Sequence, residues 1–564
     1  MTSSESVDDS EDLLKVSDEI NKKINVSSLV DVDLVTAEKV KEATCHLKPD
    51  KSDPQFNFSS DCLKNAPNIL FEHLANVMKC FLIHGHISVV LLLATLVPLI
   101  KDKMGNICSS SNYRSIALSR LILKIFDWLV IILFGSSLGL DDLQFSYQAN
   151  CSTTMCSWIV IETVSYFLRN NSEVFTCTID MTKAFDLIKH SIMFRKLLRQ
   201  GLSAIFTRLL LVMYALQSAR VFWNGTLSDS FPLTNGVKQG AVLSAILYCV
   251  YMNGLFELLR KRSSGCWIED NFLGMIGYAD DNFLLSPTLD GLQEMLLTCE
   301  EYAQEHNLFF STNPCPKKSK TKCIAYLKNE RTLRKLKLCG NDLPWWDNCK
   351  HLGNKIQNVS NGMKQDVLEK RAKYISKNME LNQEFSFAHP DSKFLVNQIY
   401  NNHFTGSPLW NLFSREAEML ENSFNCSFRN MYDLPNESHR YLVEAVTEKQ
   451  HLRATLIKRF LSFTEQIKKS SKVALKNLYN TIKEDTQSVT GYNLRRIMLL
   501  VNKNCVDELN ASDANNIVYA KIPENEEWRV ELVKEITDIK FGEKHLDNFP
   551  QEELNELLKY ACTT

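Results

Sequence analysis

The stretch Gly277-Tyr278-Ala279-Asp280-Asp281-Asn282-Phe283-Leu284-Leu285 narrows what this chain can fold into more than any other. Apolar runs flank the two acids: Phe272-Leu273-Gly274-Met275-Ile276 before them and Phe283-Leu284-Leu285 after. Short apolar runs bounded by turn residues read as two buried strands, with the acids at the turn between them. Carboxylates at the tip of an apolar hairpin are costly unless a cation compensates them. Aspartate oxygens are the hard ligands that magnesium takes, and one or two carboxylates plus substrate phosphates make a typical site. A solvated Asp-Asp turn is the plainer reading, so the rest of the chain has to decide between them.

A length of 564 residues calls for several domains or subdomains, and 45% apolar with 23% charged residues is ordinary globular composition. The formal net charge of −2 excludes a strongly basic chain, so any nucleic-acid contact rests on local charge. None of the 17 cysteines forms a C-x-x-C pair. That argues against a cysteine zinc site and for reduced thiols in an intracellular protein. Residues 1–34 are rich in Ser, Asp, Glu and Lys, carry no secretory signal, and read as a disordered tail. The longest apolar run, Ile87 to Ile100, contains Pro98 and is too short to span a bilayer. It reads as core, and no membrane partner is expected.

Further along, Lys101 and Arg114 lie across a basic turn, where two cations suit a triphosphate and two solvated surface cations are the plain alternative. Phe175-Thr176-Cys177-Thr178-Ile179 is a β-branched strand that ends in Asp180. The glycine-flanked turn Gly236-Val237-Lys238-Gln239-Gly240 opens an apolar helix, and backbone can approach a ligand closely at Gly240. Lys317 to Lys337 is basic, Cys349 to Ile356 reads as a short hairpin, and the chain beyond Val367 is mostly helical. A second basic stretch runs through Arg453, Lys458, Arg459, Lys468, Lys469, Lys472 and Lys476. Three carboxylates, Asp180, Asp280 and Asp281, brought together from separate strands would suit two-metal displacement at a phosphoryl group.

Taken in order, from roughly Leu47 to Ile356, these pieces resemble the reverse transcriptases of non-LTR (LINE-type) retrotransposons. Asn112-Tyr113-Arg114 with Ile116-Ala117-Leu118-Ser119 is similar to the fingers motif, and Asp180-x-x-Lys183-Ala184-Phe185-Asp186 to motif A. Gln239-Gly240 resembles motif B, Tyr278-Ala279-Asp280-Asp281 motif C, Ser319-Lys320-Thr321-Lys322 motif D and His351-Leu352-Gly353 the primer grip.

The resemblance implies an α+β fold: a right-hand polymerase of fingers, palm and thumb with a mixed β-sheet palm, followed by a mainly helical C-terminal region. Fingers and palm are expected over 35–356, a helical thumb-like region over 357–480, and an acidic helical extension over 481–564. It implies RNA-directed DNA polymerase activity on an RNA template, a DNA primer and deoxynucleoside triphosphates. Asp180, Asp280 and Asp281 would be the catalytic acids that bind magnesium, with manganese as a substitute. Lys101 and Arg114 would contact the triphosphate, Gln239 and Gly240 would line the pocket, and Phe185 would exclude a 2′-hydroxyl. Lys320 would assist proton transfer to pyrophosphate, with Lys322 as the competing candidate. His351, Leu352, Gly353, Lys458 and Arg459 would hold primer and template. The implied location is nucleus or cytoplasm.

Some positions depart from the family pattern. Ser115 stands for a usual proline, Asn150 for a usual glycine, and Ala241 and Ser244-Ala245 for small Gly/Pro-rich positions. Neither an apurinic-type endonuclease nor a zinc knuckle is recognisable, so a polymerase region without the endonuclease is expected, from a truncated or domesticated copy. Two alternatives compete. Viral RNA-dependent RNA polymerases often carry a second acid shortly after the first, as Asp186 follows Asp180, but they usually read Gly-Asp-Asp and lack the Gln-Gly turn. A catalytically decayed retroelement fragment would act at most as a nucleic-acid-binding protein.

Overall fold

The structure, a computed structural model, describes residues 9–516 apart from 57, 313–320, 358–362, 401–403 and 440–450, together with 528, 529, 531 and 532. Its centre is a four-stranded sheet in the order Lys322–Tyr326, Val174–Ile179, Asp281–Ser286, Met275–Tyr278. All three pairings are antiparallel. Val174 to Cys177 and Asn282 to Ser286 are buried without alternation, as strands covered by other elements must be. Helices Thr153–Arg169 and Leu289–Glu305 pack on this sheet. Helix Val242–Arg262 is long and apolar enough by composition to cross a membrane, yet most of its apolar window is buried in the core.

A second sheet runs Tyr113–Leu118, Leu93–Ile100, Ser218–Trp223, Thr226–Leu227. Here Leu93–Ile100 and Ser218–Trp223 pair in parallel, from Leu93 with Ser218 to Leu96 with Val221. The mixed pairing expected of the palm therefore lies in this neighbouring sheet. Parallel strands need a long crossover, which the chain between Ile100 and Ser218 supplies; the acid-bearing strands are joined by a tight turn instead.

The expectation of a disordered tail over residues 1–34 is corrected. Ser10–Lys23 and Val26–Asp33 are helices. Val16 and Ile20, one helical turn apart, are buried, and the Asp9 carboxylate accepts the Ser191 N–H at 3.0 Å. A charged composition hid a narrow apolar stripe that needs a partner to become stable. The boundary expected at 480 is also displaced, because it falls inside helix Val473–Ile482. Leu475, Leu478, Tyr479 and Ile482 bury one face of that helix. One hydrophobic cluster runs from Val16 through the central sheet to Ala514, so the helical region is packed on the palm. Trp158 of helix Thr153–Arg169 donates to Thr490 Oγ1 at 2.9 Å across that junction.

Candidate active site

Asp180 stands where strand Val174–Ile179 ends. Ile179 pairs with Asn282, so one step further the antiparallel chains carry Asp180 and Asp281 off the same end of the sheet. Beyond Ile179 the chain changes partners. Ser311 N–H donates to Asp180 O and Thr182 N–H to Phe309 O, each at 2.8 Å.

The hairpin turns in two residues, because Asp281 pairs with Tyr278. Ala279, the first of the two, has φ +56°, as the first central residue of a primed hairpin turn requires. Asp280 is the second. Gly277 is needed by close packing, since a Cβ there would stand 2.8 Å from both Asn282 Oδ1 and Phe256 Cζ.

Neighbouring groups feel all three acids. The Tyr248 phenol is pushed well above its ordinary value by burial first, then by the Asp280 carboxylate, with Asp180 contributing as well. Burial pushes the Cys156 thiol well up, and Asp281 adds to it. Asp180 and Asp280 thus bear on one buried hydroxyl, while Asp281 is felt by helix Thr153–Arg169. Among the described residues, no three His, Cys, Asp or Glu side chains are gathered closely enough to hold an ion between them. A pair bearing on one point still fits magnesium, which takes one or two carboxylates and completes its shell with water and substrate phosphates.

The loop after Asp180 carries Phe185, which is half-buried and stacks on Tyr248 with ring centroids 4.9 Å apart. Tyr248 in turn donates to Met181 Sδ at 3.3 Å. Phe185 O accepts the Val237 N–H at 2.8 Å. Gly236 lies so close that a Cβ would meet the Phe185 and Asp186 carbonyl oxygens at 2.7 Å. The Gln-Gly turn then reaches the second sheet: Ala117 N–H donates to Gln239 O at 2.8 Å. Gly240 has φ +111°, with Ala117 O 3.1 Å from its would-be Cβ. The motif A loop, the motif B turn and the fingers strand are thereby joined by backbone contacts.

Arg114 pairs with Leu99, and Lys101 N–H donates to Asn112 O at 2.8 Å, which continues the register. Lys101 lies two residues beyond Leu99, so it shares a face with Arg114 as a diagonal neighbour. Both side chains are exposed. Desolvation pushes the Asp186 carboxyl up, and Lys183 and then Lys101 pull it back. The fingers cation therefore reaches the loop that follows Asp180.

Sequence reasoning missed a buried carboxyl behind the Gln-Gly turn. Asp127 accepts the Leu243 N–H at 3.3 Å at the start of helix Val242–Arg262. Burial pushes its carboxyl up to about 6, opposed by that N–H and by Lys238. Burial brings Lys238 down to about 8, opposed by Asp127. Tyr248, Gln144 and Ser146 were missed too; their partners are remote in sequence, and no local spacing marks them.

His351 closes the hairpin Asn348–His351 with Asn354–Gln357. Leu352 and Gly353 have φ +48° and +87°, the type I′ pattern. His351 is buried at 4% exposure. Its Nδ1 meets Ser157 Oγ at 3.1 Å, its ring packs edge-on to Phe283, and burial brings its pKa down to about 4. The side chain anchors the turn, which leaves Leu352 and Gly353 to present it. Lys320 lies outside the described residues. Lys322 places its ammonium 4.6 Å from the Trp346 ring centroid. Lys458 is exposed and Arg459 half-buried on helix Leu452–Lys469. Asn150, in place of a usual glycine, has φ +60°, a conformation asparagine tolerates better than most residues.

Residues 100–354 match the family of reverse transcriptases, RNA-dependent DNA polymerases. The chain is 26% identical over 205 residues to a transposon TX1 149 kDa protein of Xenopus laevis, covering 36% of this chain and 16% of that protein. It is 23% identical over 185 residues to the Pol polyprotein of the retrotransposable element R2DM of Drosophila melanogaster, covering 33% and 17%. It is 23% identical over 228 residues to the R2 Pol polyprotein of Popillia japonica, covering 37% and 30%. The chain thus spans less than a third of the length of each of these relatives. Among solved structures, a Candida albicans telomerase in complex with a telomeric RNA fragment aligns with TM-score 0.34 and 13% identity, covering 79% of this chain and 69% of that one. Residues 100–354, a little under half of the chain, thus carry the match to the reverse transcriptases, and the relatives of this region are proteins of transposons and retrotransposable elements.

Proposed function

We propose that the chain extends a primer 3′-hydroxyl with deoxynucleotides on an RNA template. The observation that carries this reading is the joining of three separate segments around one sheet end. Asp180 and Asp280 bear on the same buried Tyr248, Phe185 stacks on that residue, and the Gln239-Gly240 turn is bonded to the fingers strand.

Asp180, Asp280 and Asp281 would hold the magnesium. Bound there, magnesium would supply positive charge to lower the pKa of the primer hydroxyl and to stabilise the leaving pyrophosphate. Lys101 and Arg114, on one face of the fingers sheet, orient the triphosphate, a contact that Arg makes through two parallel hydrogen bonds. The Gln239-Gly240 backbone lies under the base pair, where a side chain at 240 would collide with Ala117 O. Phe185, held flat by Tyr248, sets the floor under the incoming sugar and excludes a 2′-hydroxyl. Lys320 stands as the acid toward pyrophosphate, since Lys322 is engaged on Trp346. Leu352 and Gly353 at the hairpin tip meet the primer, and Lys458 and Arg459 meet the template–primer backbone.

The test is primer extension by the purified chain on a DNA primer annealed to RNA, with magnesium and either deoxy- or ribonucleotides. Extension with deoxynucleotides, lost in the Asp280→Asn/Asp281→Asn double variant, is the expected result. Extension with ribonucleotides at equal rate overturns the role of Phe185. A folded, template-binding protein that extends nothing is a nucleic-acid-binding relic.

A further inference from the structure

The acid turn carries strain that its own sheet does not relieve. Ala279 has φ +56°, a region that residues with a side chain adopt reluctantly, and Asp280 follows it directly. The Ala279 N–H is held from outside the sheet, by Gln144 Oε1 at 2.9 Å and Ser146 Oγ at 3.0 Å. Ser146 donates its own N–H and hydroxyl to the same Gln144 oxygen, at 3.2 and 2.9 Å. Gln144 and Ser146 are both 0% exposed. Their segment is also laid along the hairpin: Phe145 N–H donates to Gly277 O and Gly277 N–H to Leu143 O, each at 2.9 Å.

What fixes that segment arrives from the helical region. Lys472, one of the second basic stretch in the sequence, is buried at 3% exposure. Its Nζ donates to Asp141 O at 2.9 Å and Gln144 O at 3.0 Å, and stands 5.8 Å from the Phe145 ring centroid. The next two residues, Val473 and Ala474, donate their N–H groups to the two Asp142 carboxylate oxygens at 2.9 and 2.7 Å. Arg260 grips Asp141 from the palm side at 2.9 and 3.0 Å. A buried ammonium is expensive, and an apolar side chain of similar size would serve packing alone at less cost. Two carbonyl contacts on the segment that carries Gln144 point to fixation of that segment.

We infer that Lys472 and Gln144 are positioning residues for the acid turn: Lys472 fixes the Gln144 backbone, and the Gln144 side chain fixes Ala279 and with it the direction of Asp280. Lys472 immediately precedes helix Val473–Ile482, so a displacement of that helix is passed to the carboxylates. This is a mechanical link from the thumb-like region to the chemistry, and it rests on the reading of Asp280 as a metal-holding acid.

The experiment compares the full wild-type chain with Lys472→Met, Lys472→Arg and Ser146→Ala. One readout is amide hydrogen exchange of the peptide containing Ala279. The other is single-nucleotide extension with kcat, primer–template KM and magnesium midpoint measured separately, per folded molecule. Lys472→Met and Ser146→Ala are expected to speed Ala279 exchange and to lower kcat or raise the magnesium midpoint by about 10-fold or more, the scale of outer-shell substitutions at metal sites. KM for primer–template is expected to stay within about 2-fold, and Lys472→Arg to recover part of the loss. A purely structural role would lower the melting temperature and leave these quantities per folded molecule unchanged. Unchanged Ala279 exchange in Lys472→Met overturns the link. If Lys472→Met does not fold, unchanged Ala279 exchange in Ser146→Ala overturns it. A wild-type chain that extends nothing defeats the functional reading instead, and the Ala279 exchange still decides the link.

Discussion

At the scale of single residues, Gly277 and His351 test how tightly the site is built. A methyl group at 277 would stand 2.8 Å from Asn282 Oδ1 and from Phe256 Cζ, two groups that are not free ends on the surface. Gly277→Ala is expected to cost about 1–3 kcal/mol, the range for overpacking a filled core. The denaturant midpoint measures this, and an unchanged midpoint would mean that the hairpin has room the structure does not show. His351 makes stability depend on pH. Its folded pKa lies near 4 against an ordinary 6.5. Between those values the unfolded chain takes up a proton that the folded chain refuses, so stability falls as pH drops from 6.5 toward 4 and levels off below. The full effect is roughly 3 kcal/mol. His306, also brought down to about 4, acts in the same direction, so His351→Gln is expected to flatten the acid limb without abolishing it. Urea unfolding at pH 7, 5.5 and 4.5 measures the difference, and identical limbs would contradict a buried neutral imidazole.

At the scale of elements, the parts with a strong local signal were legible. The acid hairpin, the strand ending in Asp180 and the helix after the Gln-Gly turn all announce themselves by apolar runs and turn residues. The N-terminal helix Ser10–Lys23 did not. Val16 and Ile20 are its only fully buried side chains, too few to outweigh the charged residues around them in a reading by composition. Removing residues 1–24 is expected to cost about 3 kcal/mol or more, from the loss of two buried aliphatic side chains and the Asp9 contact to Ser191. A urea titration of the truncated chain checks this, and an unchanged midpoint would mean the helix does not dock. The Gln144 segment was opaque for another reason. Its function lies in contacts with Gly277, Ala279 and Lys472, and nothing in a run of Gln, Phe, Ser and Tyr records partners so distant in sequence. Gly236 was visible as a turn residue, but its need to approach the Phe185 and Asp186 carbonyls belongs to the tertiary fold alone.

At the scale of the whole molecule, the thumb-like region, the palm and the N-terminal helices share one core. The lines drawn through the sequence at residues 34 and 480 therefore mark changes of composition and do not mark physical seams. With a formal charge of −2, the chain still leaves cations exposed on separate elements: Arg114 on the second sheet and Lys458 on helix Leu452–Lys469. Other basic residues are spent on the protein itself. Arg331 pairs with Glu173 at 2.6 Å, and Lys472 is buried. Which basic residues stay exposed is thus a property of the folded chain, and a count of cations in the sequence overstates it.

All of this converges on the sheet end where Asp180 and Asp280 bear on Tyr248. The most direct test is single-turnover addition of one deoxynucleotide to a primer on RNA, with wild type and the single variants Asp180→Asn, Asp280→Asn and Asp281→Asn. Asp180→Asn and Asp280→Asn are expected to lose at least about 100-fold in rate, as loss of a metal-holding carboxylate should cause. Asp281→Asn is expected to lose activity as well, since its carboxylate leaves the same end of the sheet as Asp180. A rate near wild type in Asp180→Asn or Asp280→Asn, with the protein folded and primer–template bound, would contradict the assignment of the site.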